Sequence, residues 1–329
     1  MDSPKVVFRV DGSSAIGLGH ISRCCALADI LKNDFEILFY TRSNNQLVIE
    51  NIKQHSSAVF SLIDTVSYDE EAIQWIAVLK GDEIVVLDGY NFNTNYQQQI
   101  KNKGCKLVCI DDIHAYHFLA DVVINHAPGT AKKDYSVEPY TQLYLGTEYV
   151  LLRKIFLDAA LKKPALLDLE SSPVLICFGG ADPNNITKQT LEETMHLFPQ
   201  RKINVVVGVG YLHLEALKKT IGSNNFIKLH ININAEKMLA LMQRSHIAVT
   251  SASTIAFEYM CVKGNLFLKC TADNQKDIYA ELTKKQWAYS FPELQYKYSA
   301  TENITNQVKL IDGRSDLRLI NIFKNIHEQ

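Results

Sequence analysis

Short apolar runs alternate with segments of helical periodicity along most of this chain, and that alternation constrains the fold more than any other feature. In the N-terminal half we predict strands at residues 6–10, 36–40, 83–87, 106–110 and 121–125, with helices at residues 21–31, 45–54, 68–79 and 93–103. The strands are largely apolar on both faces, which is typical of central parallel strands covered by helices. The sequence therefore predicts a doubly wound α/β sheet.

The same alternation restarts after a looser segment at residues 156–173, which we predict to be an interdomain linker. The second set of strands is predicted at residues 174–178, 203–207, 226–230, 247–250 and 265–269, with helices at residues 186–198, 212–221, 235–244 and 255–262. We therefore predict an N-terminal Rossmann-like domain of residues 1–160 and a second one of residues 161–300. Two helices in residues 301–329 either cross back over the first domain or cap the second.

Composition narrows the class of protein. The chain has 329 residues, with 34 basic and 36 acidic side chains, so its net charge of -2 disfavours a polyanion-binding surface. No apolar run approaches the roughly 20 residues of a membrane helix, and the N-terminus leads into a strand without a signal peptide. Seven cysteines without a C-x-x-C pair indicate reduced thiols. We expect a cytoplasmic protein, a monomer or weak dimer, with no nucleic-acid or membrane partner.

The loop after the first strand carries the first candidate site. It ends in Gly17-Leu18-Gly19-His20, where a helical apolar rhythm begins. His20 is thus predicted at a helix N-terminus and at the carboxyl edge of a strand, where open α/β sheets bind ligands and free N–H groups attract anions. A neutral imidazole at this position can act as a general base. The alternative is a histidine that only caps or packs against the helix.

Polar groups also follow three other strands of the first half, at Asp88-Gly89-Tyr90, Asp111-Asp112 and Asn125-His126. Because parallel strands point the same way, these groups are expected to converge with His20 on one edge of the sheet. A metal cluster is a competing interpretation of this region, although its spacing matches no standard zinc pattern. Its candidate ligands are Asp111, Asp112, His114, His117 and His126.

A nicotinamide site is a second competing interpretation of the Gly17-x-Gly19 loop. Ser22 occupies the third glycine position of the dinucleotide fingerprint, and the second strand ends at Thr41-Arg42 without the acid that binds ribose. Both departures disfavour a dinucleotide cofactor, so we expect no cofactor.

Two strand-to-helix turns in the second half suit an anionic ligand. Gly179-Gly180 lets backbone N–H groups approach an anion, and the hydroxyls of residues 251–254 can bind phosphate oxygens. Glu258, one turn into the following helix, is placed to accept hydrogen bonds from ribose. The segment at residues 269–275 follows the next strand and can reach the same ligand. Plain helix caps and a solvated glutamate are the alternative interpretation.

Taken together, these residues resemble one known family. The motifs that carry the resemblance are Arg9-x-Asp11-Gly12, Ile16-Gly17-x-Gly19-His20-x-x-Arg23-Cys24, Leu87-Asp88-Gly89-Tyr90, Ile110-Asp111-Asp112, Asn125, Gly179-Gly180-x-Asp182-x-x-Asn185-x-Thr187, Ser251-x-Ser253-Thr254-x-x-x-Glu258 and Ala272-Asp273-Asn274-Gln275. The chain resembles the UDP-2,4-diacetamido-2,4,6-trideoxy-β-L-altropyranose hydrolases of pseudaminic acid biosynthesis. That family is similar in turn to spore-coat polysaccharide proteins and GT-B glycosyltransferases. The resemblance extends to about residue 288.

The resemblance implies an α/β GT-B fold, two Rossmann-like domains facing a cleft, and metal-independent, inverting hydrolysis of a UDP-sugar at the anomeric carbon. It implies that His20 is the essential histidine, with Tyr90 and Asn274 near the sugar and the attacking water. The residues that it places on diphosphate and ribose are Gly179, Gly180, Ser253, Thr254 and Glu258. The other predicted substrate-binding residues are Arg9, Asp11, Gly17, Gly19, Arg23, Asp88, Asn185 and Gln275.

Two departures from the family pattern bear on the substrate. Ser22 stands where methionine is more usual and Ala181 where serine is more usual, so the fold is unaffected while the identity of the nucleotide sugar stays open. Two other functions are compatible with the same motifs. A glycosyltransferase would release UDP only with an acceptor, and a non-catalytic binding protein would bind UDP without turnover.

Overall fold

The computed structural model describes residues 3–12, 18–64, 66–163 and 168–328. They form two compact units, each built on its own parallel sheet. The first unit contains residues 3–12, 20–154 and 314–328, and the second contains residues 18–19, 155–163 and 168–313. The predicted fold class, two doubly wound parallel α/β sheets, is confirmed.

The first unit has a seven-stranded sheet in the order β3-β2-β1-β4-β5-β7-β9, in which every pair of neighbours is parallel. The strands of this sheet are β1 (Lys5–Val10), β2 (Glu36–Thr41), β3 (Ala58–Ser61), β4 (Ile84–Asp88), β5 (Lys106–Ile110), β7 (Val122–Asn125) and β9 (Gln142–Leu145). A separate two-stranded sheet consists of β6 (His117–Phe118) and β8 (Ser136–Val137). Strand β1 lies between β2 and β4, and the register pairs Val10 with Asp88.

Four helices connect these strands: α1 (Gly19–Leu31), α2 (Gln46–Lys53), α3 (Tyr68–Ile76) and α4 (Thr94–Lys103). Side chains define where they begin and end. Ser67 and Glu70 form a capping box at the start of α3, and the Asn93 side chain caps α4. Gly104 ends α4 with a φ of 98°, a left-handed conformation that favours glycine.

The second unit has a six-stranded parallel sheet in the order β12-β11-β10-β13-β14-β15. Its strands are β10 (Val174–Cys177), β11 (Ile203–Val207), β12 (Ile227–Ile231), β13 (Ile247–Ser251), β14 (Asn265–Lys269) and β15 (Tyr289–Ser290). Its helices, with α5 at the boundary between the units, are α5 (Lys154–Ala160), α6 (Ile186–Leu197), α7 (Leu214–Ile221), α8 (Ala235–Arg244), α9 (Thr254–Val262), α10 (Lys276–Lys284), α11 (Leu294–Lys297) and α12 (Glu302–Gln307).

The two tail helices pack on different units. Asn303 of α12 donates a hydrogen bond to Asn265 Oδ1 (2.8 Å) and so covers the second unit. The last helix, α13 (Ser315–Glu328), covers the first unit, where buried Phe323 makes an edge contact with Phe35. Helix α12 therefore packs on the second unit and α13 on the first.

The predicted strands lie within one or two residues of their observed bounds, whereas the short strands β3, β6, β8, β9 and β15 were missed. Strands β3 and β9 are only four residues long and partly exposed, so they lack the continuous apolar run of a buried strand. The first part of the predicted linker is the helix α5. In the part of the chain that the structure describes, no helix is both long and apolar enough to cross a membrane.

Candidate active site

His20 lies in the first turn of α1 and is 6% exposed. Its Nδ1 atom is 3.2 Å from Oδ1 of Asp88, the last residue of β4. The two residues meet because β1 and β4 are neighbours in the sheet, and the helix that carries His20 begins beyond the carboxyl end of β1. The first predicted site residue is thus held by a carboxylate from the adjacent strand.

Asp88 is fully buried, and its carboxylate also forms an ion pair with an arginine. Arg23, one turn after His20, donates from Nε and NH2 to the two carboxylate oxygens at 2.7 and 2.5 Å, and Cys24 Sγ lies 3.3 Å from Oδ2. Burial alone would raise the pKa of Asp88, but the Arg23 guanidinium and His20 hold it well below its usual range. Ionised Asp88 accepts the Nδ1 proton of His20, which leaves Nε2 as the acceptor.

Asp112, just after β5, and Tyr90, two residues after Asp88, complete this cluster. Arg23 NH1 donates to Asp112 Oδ2 at 3.2 Å, and the Tyr90 hydroxyl lies 3.5 Å from the same oxygen. The Tyr90 ring contacts the His20 ring edge-on, with 4.8 Å between centroids. Tyr116 donates a hydrogen bond to the Tyr90 carbonyl at 2.7 Å. The structure therefore brings together the predicted ends of β4 and β5 around His20.

Arg9 and Asp11 belong to a different, buried network at the end of β1. Arg9 donates to both carboxylate oxygens of Glu71 (2.7 and 2.9 Å) and to Asp11 Oδ1 (2.6 Å), and its side chain is fully buried. Arg42 also donates to Glu71. Each of these charged side chains is therefore paired with another charged side chain of the protein.

Sequence reasoning missed Glu71, although a signal for it existed. On α3, Glu71 shares the buried helix face of Ala72 and Trp75. A glutamate one turn before a buried tryptophan needs a cationic partner, because an ionised carboxylate in an apolar core is costly.

A third cluster lies at the ends of β5 and β7. Asp111 Oδ2 accepts hydrogen bonds from the Tyr135 hydroxyl (3.1 Å) and the His114 backbone N–H (3.0 Å), and it lies 3.1 Å from His114 Nδ1. Asn125 Nδ2 donates to the Tyr135 oxygen at 2.8 Å. Burial and the Asp111 charge raise the pKa of Tyr135, which stays neutral.

The histidines of the predicted metal alternative have other partners. His117 lies 2.8 Å from Ser136 Oγ and 2.9 Å from Glu138 Oε1. Burial and the Arg23 charge lower the pKa of His126 to about 4. Among the described residues, no group of three or more His, Cys, Asp or Glu side chains is arranged to hold a metal ion.

In the second unit, two different features favour glycine after β10: the backbone conformation at Gly179 and the close packing of Gly180 against Gly208. Gly179 has a φ of 87°, and a Cβ added to it would meet no atom within 4 Å. Gly180 packs against Gly208, where a Cβ would lie 2.6 Å from the Gly180 Cα, and its carbonyl accepts the Gly210 N–H at 3.0 Å. Gly179 therefore leaves open space beside its backbone, and Gly208 is a partner that sequence reasoning missed.

The N-terminus of α6, beyond this loop, already has an anionic cap. Asp182 accepts hydrogen bonds from the N–H groups of Ile186 (2.9 Å) and Thr187 (2.7 Å). Asn185 adopts a left-handed φ of 54°, and its Oδ1 accepts the Tyr211 hydroxyl at 2.6 Å. A carboxylate of the chain thus neutralises this helix end.

At the N-terminus of α9, the side chain of the N-cap residue, Ser253, makes no capping hydrogen bond. Ser253 precedes the helix, and its hydroxyl lies 2.8 Å from that of Ser251. Thr254 opens α9, and Glu258 lies one turn further in, 5% exposed. This end combines a helix dipole with clustered hydroxyls.

The other predicted site residues lie at loops. Asn274 is in a short 3-10 turn after β14, and Gln275 Oε1 accepts hydrogen bonds from the Thr271 N–H (2.9 Å) and hydroxyl (3.0 Å). Gly19 opens α1. Gly17 lies outside the described residues.

Two Rossmann-like parallel sheets in one chain define the GT-B class, and solved structures of that class match almost the whole chain. MurG from Acinetobacter baumannii superposes with a TM-score of 0.61 at 13% identity, covering 98% of this chain and all of that one. The glycosyltransferase of kitacinnamycin gives 0.62 at 9% identity, covering 99% of this chain and 100% of that one. A UDP co-structure of S. aureus MnaA gives 0.60 at 11% identity, covering 98% of this chain and 96% of that one.

Sequence relatives confirm the resemblance predicted from the motifs. A protein of Campylobacter jejuni named UDP-2,4-diacetamido-2,4,6-trideoxy-beta-L-altropyranose hydrolase is 28% identical, over 89% of this chain and 100% of its own length. The spore coat polysaccharide biosynthesis protein SpsG of Bacillus subtilis is 23% identical, over 77% of this chain and 73% of its own. An uncharacterised protein of Methanocaldococcus jannaschii is 28% identical over 85% of this chain, which spans 58% of that relative's length. No protein-family model matches.

Proposed function

We propose that this protein is an enzyme that hydrolyses a UDP-linked 2,4-diacetamido-2,4,6-trideoxyhexose at its anomeric carbon, releasing UDP and the free sugar for nonulosonic acid or surface polysaccharide biosynthesis. The observation that carries the proposal is the contact between His20 and Asp88. The name of the Campylobacter jejuni relative supports the substrate class.

In the proposed reaction, His20 is the general base. Its Nε2 accepts a proton from a water molecule while the water oxygen attacks the anomeric carbon from the face opposite UDP. The bond from that carbon to the β-phosphate oxygen breaks, and its electron pair leaves with UDP, so the configuration inverts. A positioned base contributes roughly 10²–10⁴-fold to such a step. Tyr90, against the His20 ring, and Asn274 are proposed to position the sugar and the water.

The second unit is proposed to bind UDP at the N-terminus of α9. The side chain of the N-cap residue of α9 makes no capping hydrogen bond, and this end carries the hydroxyls of Ser253 and Thr254, whereas Asp182 already occupies the end of α6. Helix dipoles and hydroxyls stabilise a leaving diphosphate without a metal ion. We assign Glu258 to the ribose and the Gly179–Gly180 backbone to the rest of the nucleotide.

Arg9 and Asp11 are proposed to act indirectly, by holding the end of β1 and the loop that leads to His20. Their charges pair with Glu71 and with each other. Arg23 and Asp88 are likewise proposed to orient His20. Asp88 is fully buried and contacts the Nδ1 side of the imidazole, opposite the Nε2 atom that accepts the proton.

The test is UDP release from the UDP-linked diacetamido sugar in the presence of EDTA and without any acceptor. Wild type should release UDP, and His20→Ala should lower the rate by roughly 10²–10⁴-fold while UDP still binds. His55→Ala is a matched control, because His55 also pairs with an aspartate, Asp29 at 2.8 Å, away from the site; it should retain the rate.

A glycosyltransferase is the second candidate, and it is favoured by the glycosyltransferases among the structural neighbours. It predicts that wild type binds UDP but releases it from the donor only when an acceptor alcohol is added. UDP binding without turnover under either condition would instead indicate a binding protein.

A further inference from the structure

The proposed chemistry does not use the third cluster, formed by Asp111, His114, Asn125 and Tyr135 at the ends of β5 and β7. Its centre is Asp111 Oδ2, which holds the His114 ring from one side and the Tyr135 hydroxyl from another. The His114 ring also contacts the Tyr135 ring edge-on, with 4.6 Å between centroids. The imidazole is therefore fixed in orientation.

The backbone of His114 adopts a conformation that side chains rarely take. Its φ is 52°, in the left-handed region, which costs a residue with a Cβ roughly 1 kcal/mol or more. The Asp111 carboxylate stabilises the turn by accepting the His114 N–H at 3.0 Å. Glycine fits this conformation without strain, and histidine is, with asparagine and aspartate, among the side chains found in it more often than most.

The contact at Nδ1 of His114 determines how its other ring nitrogen, Nε2, can form a hydrogen bond. Because Nδ1–H donates to Asp111, Nε2 is a hydrogen-bond acceptor. The His114 side chain is 26% exposed, and no described residue hydrogen-bonds Nε2. Ile113, its neighbour, is 39% exposed. The imidazole acceptor and the neighbouring apolar side chain are therefore both partly open to solvent.

The same loop also supports the His20 cluster. Asp112 contacts Arg23 at 3.2 Å, and Tyr116 holds the Tyr90 carbonyl at 2.7 Å. His114 lies between these two contacts along the chain. Its imidazole therefore belongs to the segment that holds Tyr90 in place.

We propose that His114 is a specificity-determining residue whose Nε2 accepts a hydrogen bond from an acylamino N–H of the sugar, while Ile113 contacts the acyl methyl group. This inference rests on the proposed function, because it names what part of that substrate the loop at residues 111–117 recognises. An acylamino group offers the N–H donor and methyl group that such a pair fits. Asp111 and Tyr135 act as positioning residues for the imidazole.

His114→Asn is the informative variant, because asparagine tolerates a left-handed φ and its amide N–H₂ can replace Nδ1–H opposite Asp111. It keeps the turn and removes the acceptor at Nε2. Both forms are made in a His20→Ala background, so that the UDP-sugar stays intact. Dissociation constants are measured by calorimetry for the UDP-linked diacetamido sugar, for two analogues in which the 2- or 4-acetamido group is replaced by hydrogen, and for UDP.

With His114 present, one of the two analogues should bind about 3- to 10-fold more weakly than the full sugar, the effect of one neutral hydrogen bond. With His114→Asn the part of that difference that comes from the hydrogen bond should be lost, leaving only the apolar contact of Ile113, while UDP affinity stays the same. If His114→Asn discriminates as His114 does, or changes UDP affinity and thermal stability without changing the ratio, the imidazole only holds the turn and the inference is wrong.

This readout is independent of turnover. If wild type releases no UDP, the hydrolase proposal fails, but the ratio of dissociation constants still tests His114. If wild type hydrolyses the sugar and the ratio is insensitive to His114→Asn, only the inference about His114 fails.

Discussion

His20 Nδ1 lies 3.2 Å from Asp88 Oδ1, and the Asp88 carboxylate is fully buried between His20 and Arg23. The Asp88 carboxylate therefore has two effects. It sets the orientation and tautomer of the imidazole, and it neutralises the Arg23 charge, which would otherwise be costly to bury. Substitutions here should affect both turnover and stability.

The first prediction concerns Asp88→Asn. An asparagine amide can donate to Nδ1 and favour the tautomer in which Nε2 carries the proton, so the base is lost. We expect kcat for UDP release to fall by roughly 10²–10⁴-fold, as measured in steady-state assays. Chemical denaturation should also show a loss of about 3–5 kcal/mol, because Arg23 loses its buried partner.

Asp112→Asn is the control for that prediction. It also removes a carboxylate from Arg23, at 3.2 Å, but Asp112 does not contact His20 Nδ1. Its loss of kcat should be much smaller. Equal losses for the two variants would contradict the orienting role of Asp88.

The second prediction concerns the buried Arg9 network. Glu71→Gln removes the carboxylate that accepts two hydrogen bonds from Arg9, leaving a guanidinium in the core with one charged partner, Asp11. Breaking a buried pair costs about 3–5 kcal/mol. Urea unfolding should show a loss of this size, whereas Glu50→Gln on the exposed face of α2 should change stability by less than about 0.5 kcal/mol.

The third prediction is a pH dependence of stability that originates at His126. Burial first, and the Arg23 charge second, lower its pKa to about 4, below the value of about 6.5 in the unfolded chain. As the pH falls, the unfolded chain binds this proton first. The stabilisation is complete above about pH 6.5 and is lost between about pH 6.5 and 4.

Replacing the titrating group should therefore flatten the curve of unfolding free energy against pH in that window. We expect His126→Gln to remove up to about 3 kcal/mol of the decline measured by urea unfolding at successive pH values. His230 and His246, whose pKa values burial also lowers, should retain part of the slope. A variant curve parallel to that of wild type would contradict the assignment.

The fourth prediction separates the two helix ends of the second unit. Ser253→Ala removes the hydroxyl of the N-cap residue of α9, so UDP should bind about tenfold more weakly by calorimetry. Asp182→Ala removes the cap of α6, so stability should fall by about 1 kcal/mol with little change in UDP affinity. The reverse pattern would place the diphosphate at α6.

Much of the fold was predictable from local patterns. The strands at residues 106–110, 203–207 and 265–269 were predicted with their observed bounds, because continuous apolar runs between turn residues are a property of the neighbouring sequence. The helix at residues 68–79 was predicted too long, since α3 ends at Ile76. Short edge strands such as β3 lack this pattern because half of their surface faces solvent.

The candidate site was predictable only in part. The position of His20 in the first turn of a helix followed from the glycine loop and the apolar rhythm after it. That Asp88 would contact His20 and Arg23 depended on the pairing of β1 with β4. Arg23 and Asp88 are 65 residues apart in the chain. The role of Glu71 as the partner of Arg9 likewise spans 62 residues.

By itself, the sequence determined the alternation of strands and helices, the class of the fold and the polar residues that follow each strand, because periodicity and turn chemistry act over a few neighbouring residues. Only the tertiary structure decided which charges meet: Arg23 with Asp88, Arg9 with Glu71, and His114 with Tyr135 through Asp111. These pairings follow from the order of strands in the sheet and from burial. Both depend on contacts between segments that are distant in the chain.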